Sequence, residues 1–540
     1  MARGATWSQE AVGSVQAAMP HARATGHLEV VDFLLSKGAN ANGVTTFNST
    51  PLAAACSHGH FEVAKLLLEH GAYTEAVDHQ GDNCLMLASC SGHLDIVKYL
   101  LNIGVDVNRR NIYGKSALYG SVESGNLEVM KVLLSYNATL EADYSGTTPL
   151  MAASSRGHAN IVEYLVSRTD ISRMEKIEAL ELLGASVLDK IRDAVGAVEY
   201  WKSALSLRYV DGALMYPKPD HHLSCPLCDE FGEFTTVQQL EAIENNNNAV
   251  YLQSLLVRER ILGTDDAGTM RSFRSTGLDY ARCGDLKWCI NLWLHAISMQ
   301  QLQLKPLDPS RLFHLQSFVS LFAIVMNSNH TRKWNYKPAI YFEDLMCAFE
   351  VCTEEMAMVT YSILNETCIC ERKNHDSHLD QVIAVVMHLL VSLTRLQTDF
   401  WASQWCEVKM AVSRLVNMDP RDSTGSTLLH LACSLGVRDI GNLLLPISDS
   451  LRTEIVDLLL ETGSDPCARD HAGNTPFHVL AWNEDVSENT VGALLSAGAN
   501  LDDVNSRGET FGSLMASREQ PLGQFEDTVS HSFVQCLAAE

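Results

Sequence analysis

The pair Gly-His, or Gly-Asn in one case, stands at 26–27, 59–60, 92–93, 125–126 and 157–158, returning after 33, 33, 33 and 32 residues. A second mark keeps the same phase: Leu-Leu-x-x-Gly, with Asn in the last case, ends at Gly38, Gly71, Gly104 and Asn137. A third precedes the last four of these pairs: "STPL" at 49–52, "NCLM" at 83–86, "SALY" at 116–119 and "TTPL" at 147–150. A repeat this short cannot bury its apolar face alone, so neighbours must stack to close a core. The period therefore requires a solenoid and rules out one globular core for this stretch.

Each mark has a physical reason. Thr50 and Thr148 are placed to cap a helix whose next residue, Pro51 or Pro149, is tolerated in a first turn. Small residues follow ("AAA" at 53–55, "AA" at 152–153) and let two antiparallel helices approach. The stripes "VAKLLL" (63–68) and "IVKYLL" (96–101) supply the apolar face of the second helix. Gly38, Gly71 and Gly104 supply a left-handed residue behind it. His60, His93 and His158 read as structural residues of the interhelix turn. Two short helices and an extended turn every 33 residues is the ankyrin repeat, expected here over 24–170 with a partial first copy, behind an atypical segment 1–23.

From 171 to 410 the helical pattern changes period. "YARCGDLKWCINLWLHAI" (280–297) sets Tyr280, Gly284, Leu286, Cys289, Trp293, Ala296 and Ile297 at tetratricopeptide spacing, and "GAVEYWKSALSLRY" (196–209) repeats its second half. Ankyrin-like signals return over 411–530, as "GSTLLHLACSLG" (425–436), "IVDLLLETGSDP" (455–466) and "GNTPFHVLA" (473–481). The expected fold is all-α: an ankyrin-repeat solenoid, a tetratricopeptide-like helical middle, and a second, shorter ankyrin array.

A net charge of −25 opposes binding to a phosphate backbone, so no nucleic-acid partner is expected. The apolar run "QVIAVVMHLLVSL" (381–393) is too short for a bilayer and reads as a buried helix, so no membrane partner is expected. Fifteen cysteines without framework spacing suit a reducing compartment, and the protein is expected in the cytoplasm, with the nucleus open to it as well. No phosphate-binding loop, nucleophile elbow or zinc-protease motif is present, and neither an enzyme nor a cofactor is expected. Cys225 and Cys228 in "HHLSCPLC" (221–228) have the spacing of half a zinc site, but no second pair follows at finger spacing.

An ankyrin stack touches its partners with its extended turns and the outer side of its first helices, the concave face. In repeat two those positions are Asn48, Ser49, Ala53, Ser57 and His58; in repeat three, Asn83 and Cys90; in repeat four, Tyr113 and Tyr119.

Outside the repeats, "IEALELLGAS" (177–186), "VRERILG" (257–263) and "CINLW" (289–293) resemble the feminization-one (Fem-one) family, and "VEYWKSALSLRY" (198–209) is closer to its A and C branches. The resemblance covers roughly 24–540. It implies a substrate receptor of a cullin-two RING ubiquitin ligase that holds the C-terminal tail of a target on its N-terminal ankyrin face. It also implies elongin B/C as adaptors, met by a terminal helix. Within 531–540, Val534, Cys536, Leu537 and Ala538 stand at that helix's apolar positions. The N-terminal repeats and this adaptor helix are expected to be incomplete.

Arginine-reading relatives carry Phe-Asp where this chain has Ser57-His58, an arginine where it has Ala53, and a tyrosine where it has Cys90. Specificity for an arginine tail is therefore not carried over. The B branch's reactive cysteine is Tyr113 here, so its recognition is not carried over either. Two other readings stand beside the ligase receptor: an ankyrin scaffold with no ligase role, and a structural-zinc protein built on Cys225 and Cys228.

Overall fold

A computed structural model describes residues 28–45, 48–210, 213–218, 232–263, 266–306, 308–327, 340–364, 369–397, 400–434, 448–483 and 486–517. The chain forms two compact units, divided between Gly263 and Thr264.

The first unit opens on short helices: α1 (Leu28–Ser36), α2 (Pro51–His58), α3 (Phe61–Glu69), α4 (Cys84–Ser91), α5 (Leu94–Asn102), α6 (Ala117–Glu123), α7 (Leu127–Ser135), α8 (Pro149–Ser155) and α9 (Ala159–Ser167). The first helices α2, α4, α6 and α8 are capped as the sequence requires. Thr50, Asn83, Ser116 and Thr148 each accept the amide three residues on, at 2.9–3.2 Å. Such a cap contributes about 1 kcal/mol. Residue 137 shows how strict the helix stop is: Asn137 stands in the glycine's place and adopts the same left-handed backbone, at φ +62°.

Between helix pairs the chain makes fingers closed by Asx turns. Asp78, Asn111 and Asp143 each accept two backbone amides from the turn that follows. Neighbouring fingers are joined through their backbones, Ile112 N to Gln80 O at 3.1 Å and Tyr144 N to Tyr113 O at 3.0 Å.

The Gly-His mark works between repeats. The His93 ring lies over Gly59 and its Nε2 is 3.1 Å from the Ser57 carbonyl of the previous repeat. A Cβ on Gly59 would sit 2.5 Å from that ring. His158 closes on Gly125 and the Glu123 carbonyl in the same way, and Asn126 donates to the carbonyls of Ser89 and Cys90. Glycine and histidine are thus two halves of one inter-repeat contact.

A long hairpin follows, α10 (Arg173–Ile191) and α11 (Ala194–Arg208). Leu180, Leu183, Val187 and Ala204 share one core with Leu150 and Leu165 of the last repeat. A two-residue antiparallel ribbon, β1 (Tyr209–Val210) with β2 (Ala213–Leu214), leads toward α12 (Val237–Ile243) and α13 (Asn247–Leu262). Beneath it lies a buried ion cluster. Glu181 takes a forked pair from Arg208 at 2.9 Å and a further bond from Arg260, while Glu233 pairs with Arg260 and with Lys218.

The second unit begins with α14 (Ala267–Arg282), α15 (Leu286–Gln303), α16 (Pro309–Asn327), α17 (Phe342–Leu364), α18 (Ile369–Arg395) and α19 (Ala402–Asn417). Ser377–Arg395 within α18 is long and apolar enough to cross a membrane, but 78% of that stretch is packed inside the unit. Hairpin α14–α15 repeats a detail of α10–α11. Trp201 Nε1 donates to the carbonyl of Glu181, three residues before Gly184; Trp293 Nε1 donates to Arg274, three residues before Gly277. In both hairpins the glycine leaves room for the indole.

The unit continues with α20 (Leu428–Ser434), α21 (Asp449–Glu461), α22 (Pro476–Leu480), α23 (Glu488–Ser496) and α24 (Phe511–Ala516). Asx turns at Asp422, Asp470 and Asn505 and finger-to-finger bonds (His471 N to Thr424 O, Ser506 N to Ala472 O) mark these as ankyrin repeats.

The division at Gly263 falls inside 171–410, the stretch that periodicity treats as one helical domain. The cause is packing: α10 and α11 extend the apolar core of the ankyrin stack, and the ion cluster ties α13 to them.

Candidate protein-binding face

The first helices and fingers of the N-terminal array present a face that the core does not consume. His58 is exposed, with Nδ1 2.8 Å from the Ala54 carbonyl and its ring stacked on His60. Ser57 is half-buried and its carbonyl is held by His93. Cys90 is exposed, Sγ 3.1 Å from Ser124 Oγ. Asn48, exposed at φ +58°, turns its amide to the Val77 carbonyl at 2.9 Å, and Ser49 donates its backbone amide to Thr45 Oγ1. Tyr113 projects from a finger at 52% exposure beside Ile112 and Tyr144, and the Arg110 guanidinium lies 5.0 Å from the Tyr144 ring.

Two residues assigned to this face by spacing lie beneath it: Ala53 and Tyr119 are each 3% exposed. Both are third after a cap residue, and that position points under the next repeat's finger. Tyr119 Oη donates to Asp143 Oδ2 at 3.1 Å. Burial, with Asp143 beside it, pushes the phenol far above its usual range. In the second array the same position carries His430 and His478, whose Nε2 atoms reach the carbonyls of Asn474 and Glu509. Asn83 is also fully buried, as a helix cap.

A group that spacing did not single out lies beside Tyr119. Glu123 Oε2 is 2.9 Å from Lys115 Nζ, and Oε1 is 2.8 Å from Arg156 Nη2. Burial pushes the Glu123 carboxyl up, but the two cations outweigh it and hold the group below the usual carboxylate range. Lys115 Nζ also stands 4.9 Å over the Tyr119 ring. The signal was available: Glu123 stands two residues before Gly125, as Cys90 does before Gly92 and Ser57 before Gly59.

Val534, Cys536, Leu537 and Ala538 lie outside the described residues, as do Cys225 and Cys228. Among the described residues no group of three or more His, Cys, Asp or Glu is placed to hold a metal ion.

Stacked helix pairs, finger ladders and an open first-helix face define an ankyrin-repeat protein. The pattern described as ankyrin repeats (3 copies) matches residues 16–111 and 103–175, and that described as ankyrin repeats (many copies) matches 450–488. Protein fem-1 homolog A of Danio rerio is 37% identical over 404 residues, covering 75% of this chain and 63% of the relative. Protein fem-1 homolog C of Homo sapiens is 35% identical with the same coverage. Protein fem-1 homolog A-A of Mus musculus is 35% identical over 440 residues, covering 75% of the chain and 65% of the relative. The chain belongs to the fem-1 homolog family, on the side of its A and C members. It spans 63–65% of the length of these relatives.

Proposed function

We propose that this protein is a substrate-recognition subunit of a cullin-RING ubiquitin ligase. It binds the tails of target proteins on the first-helix face of its N-terminal array and joins elongin B/C and cullin-two through 531–540. The observation that carries this reading is an open face, bearing His58, Cys90 and Tyr113, on a fem-1 homolog chain. The mechanism is proximity: a bound target is held where ubiquitin can be transferred by recruited enzymes, and the protein itself makes no bond. That work belongs in the cytoplasm, with the nucleus a second site.

Copurification tests it. Elongin B/C and cullin-two should accompany the tagged chain, and Leu537→Asp should release them, because a charge cannot enter an apolar adaptor groove. His58→Glu with Tyr113→Glu should leave the adaptors bound and lose targets. If neither elongin nor cullin-two accompanies the chain, the scaffold reading replaces this one.

A further inference from the structure

Resting on the reading of this face as the target-binding surface, we infer that its fourth and fifth repeats take a carboxylate of the target chain, held by Lys115 and Arg156.

The arrangement is an ion group with one place unfilled. Glu123 gives one oxygen to each cation, so two positive charges share a single negative one. Asp143, close by, keeps its charge but forms no ion pair with either cation: Oδ2 accepts from Tyr119, and Oδ1 accepts from the amides of Ser145 and Thr147 and from the Ser145 hydroxyl. Two partly exposed cations thus stand together on a chain of net charge −25. The cations are reachable, with side chains 30% and 56% exposed for Lys115 and Arg156. Glu123 also fixes their positions, so a ligand meets donors whose rotamers are already ordered. Of the guanidinium nitrogens of Arg156, Nη2 faces Glu123, and the rest of the fork is free to pair with a second carboxylate.

The surroundings admit a peptide. Gly120, one turn before Glu123 on α6, has no side chain, and a Cβ there would make only ordinary contacts, with Cys90 at 3.6–3.9 Å and the Met86 carbonyl oxygen at 4.0 Å. The Cys90 thiol and Ser124 hydroxyl beside it offer polar contacts to a main chain. His58 and Cys90 supply no fixed negative charge where the arginine-reading relatives carry Asp and Tyr.

Such a carboxylate can be an acidic side chain or the main-chain terminus. The experiment uses the full-length chain and two libraries of random decapeptides, one ending in a free carboxylate and one amidated. Bound peptides should be enriched in carboxylates. Enrichment of Asp or Glu in the amidated library identifies the side chain; binding that needs the free end identifies the terminus. Lys115→Met and Arg156→Met, which keep the apolar stems and the fold, should each weaken the selected peptide about tenfold, the size of a charge-assisted bond. Lys115→Glu with Arg156→Glu should turn the selection toward Lys and Arg.

Selection of basic or neutral tails by the unaltered chain, or acidic binding indifferent to both methionine substitutions, overturns the inference. If such binding is still lost in His58→Glu with Tyr113→Glu, the target-binding reading survives. If no bound peptide responds to any of these face substitutions, that reading falls as well.

Discussion

Replacing Gly184 by alanine tests the hairpin geometry directly. Alanine is the better helix former by about 1 kcal/mol, so in open space the change would stabilise α10. The space is not open: the new Cβ would sit 2.5 Å from Trp201 Nε1 and 2.8 Å from the Ala197 carbonyl oxygen. One neighbour is backbone and the other a fully buried indole, so neither yields cheaply. Overpacking of this kind costs about 1–3 kcal/mol. Moving the indole also breaks its 2.9 Å bond to the Glu181 carbonyl, and an orphaned buried donor costs about 1–3 kcal/mol more. The net is a loss of about 3 kcal/mol. A chain of two units is not expected to unfold in one step, so the assay is hydrogen exchange read on peptides covering 173–208. Amides there should open roughly 100-fold more readily. Gly492→Ala in α23 is the control: its Cβ would meet nothing within 4 Å, and exchange there should slow. Equal or slower exchange over 173–208 in Gly184→Ala would refute the close-approach argument.

Arg208→Met should cost about 3 kcal/mol, the lower end for breaking a buried ion pair, because Glu181 keeps Arg260; a loss below about 1 kcal/mol in urea midpoints of the first unit would show that Arg260 and Lys218 suffice. His430 bears on pH. Burial, opposed by its bond to the Asn474 carbonyl, holds the imidazole below its ordinary value. Below about pH 6.5 the unfolded chain therefore binds a proton that the folded chain refuses. The second array should lose stability as pH falls from 6.5, by up to ~1.4 kcal/mol per pH unit from this residue. His430→Asn should flatten the curve of urea midpoint against pH; an unchanged slope would remove His430 as the cause.

Periodicity alone determined the ankyrin arrays, the caps at Thr50 and Thr148, and the left-handed stops through Asn137. Those are local choices, made by a residue and the few beside it, and a sequence displays them in order. It also marked Trp201 and Trp293 as equivalent, although not the glycines that admit them. Only the tertiary structure decided what separates residues of like spacing. Tyr113 is open and Tyr119 covered because the next finger lies over one and not the other. Lys115 and Arg156, 41 residues apart, meet on Glu123 because two repeats stack, and Glu181 gathers Arg208 and Arg260 because three helices converge on it. Charge acts through space and across neighbouring chain segments, so a face that reads as separate letters becomes one group only when the repeats are laid side by side.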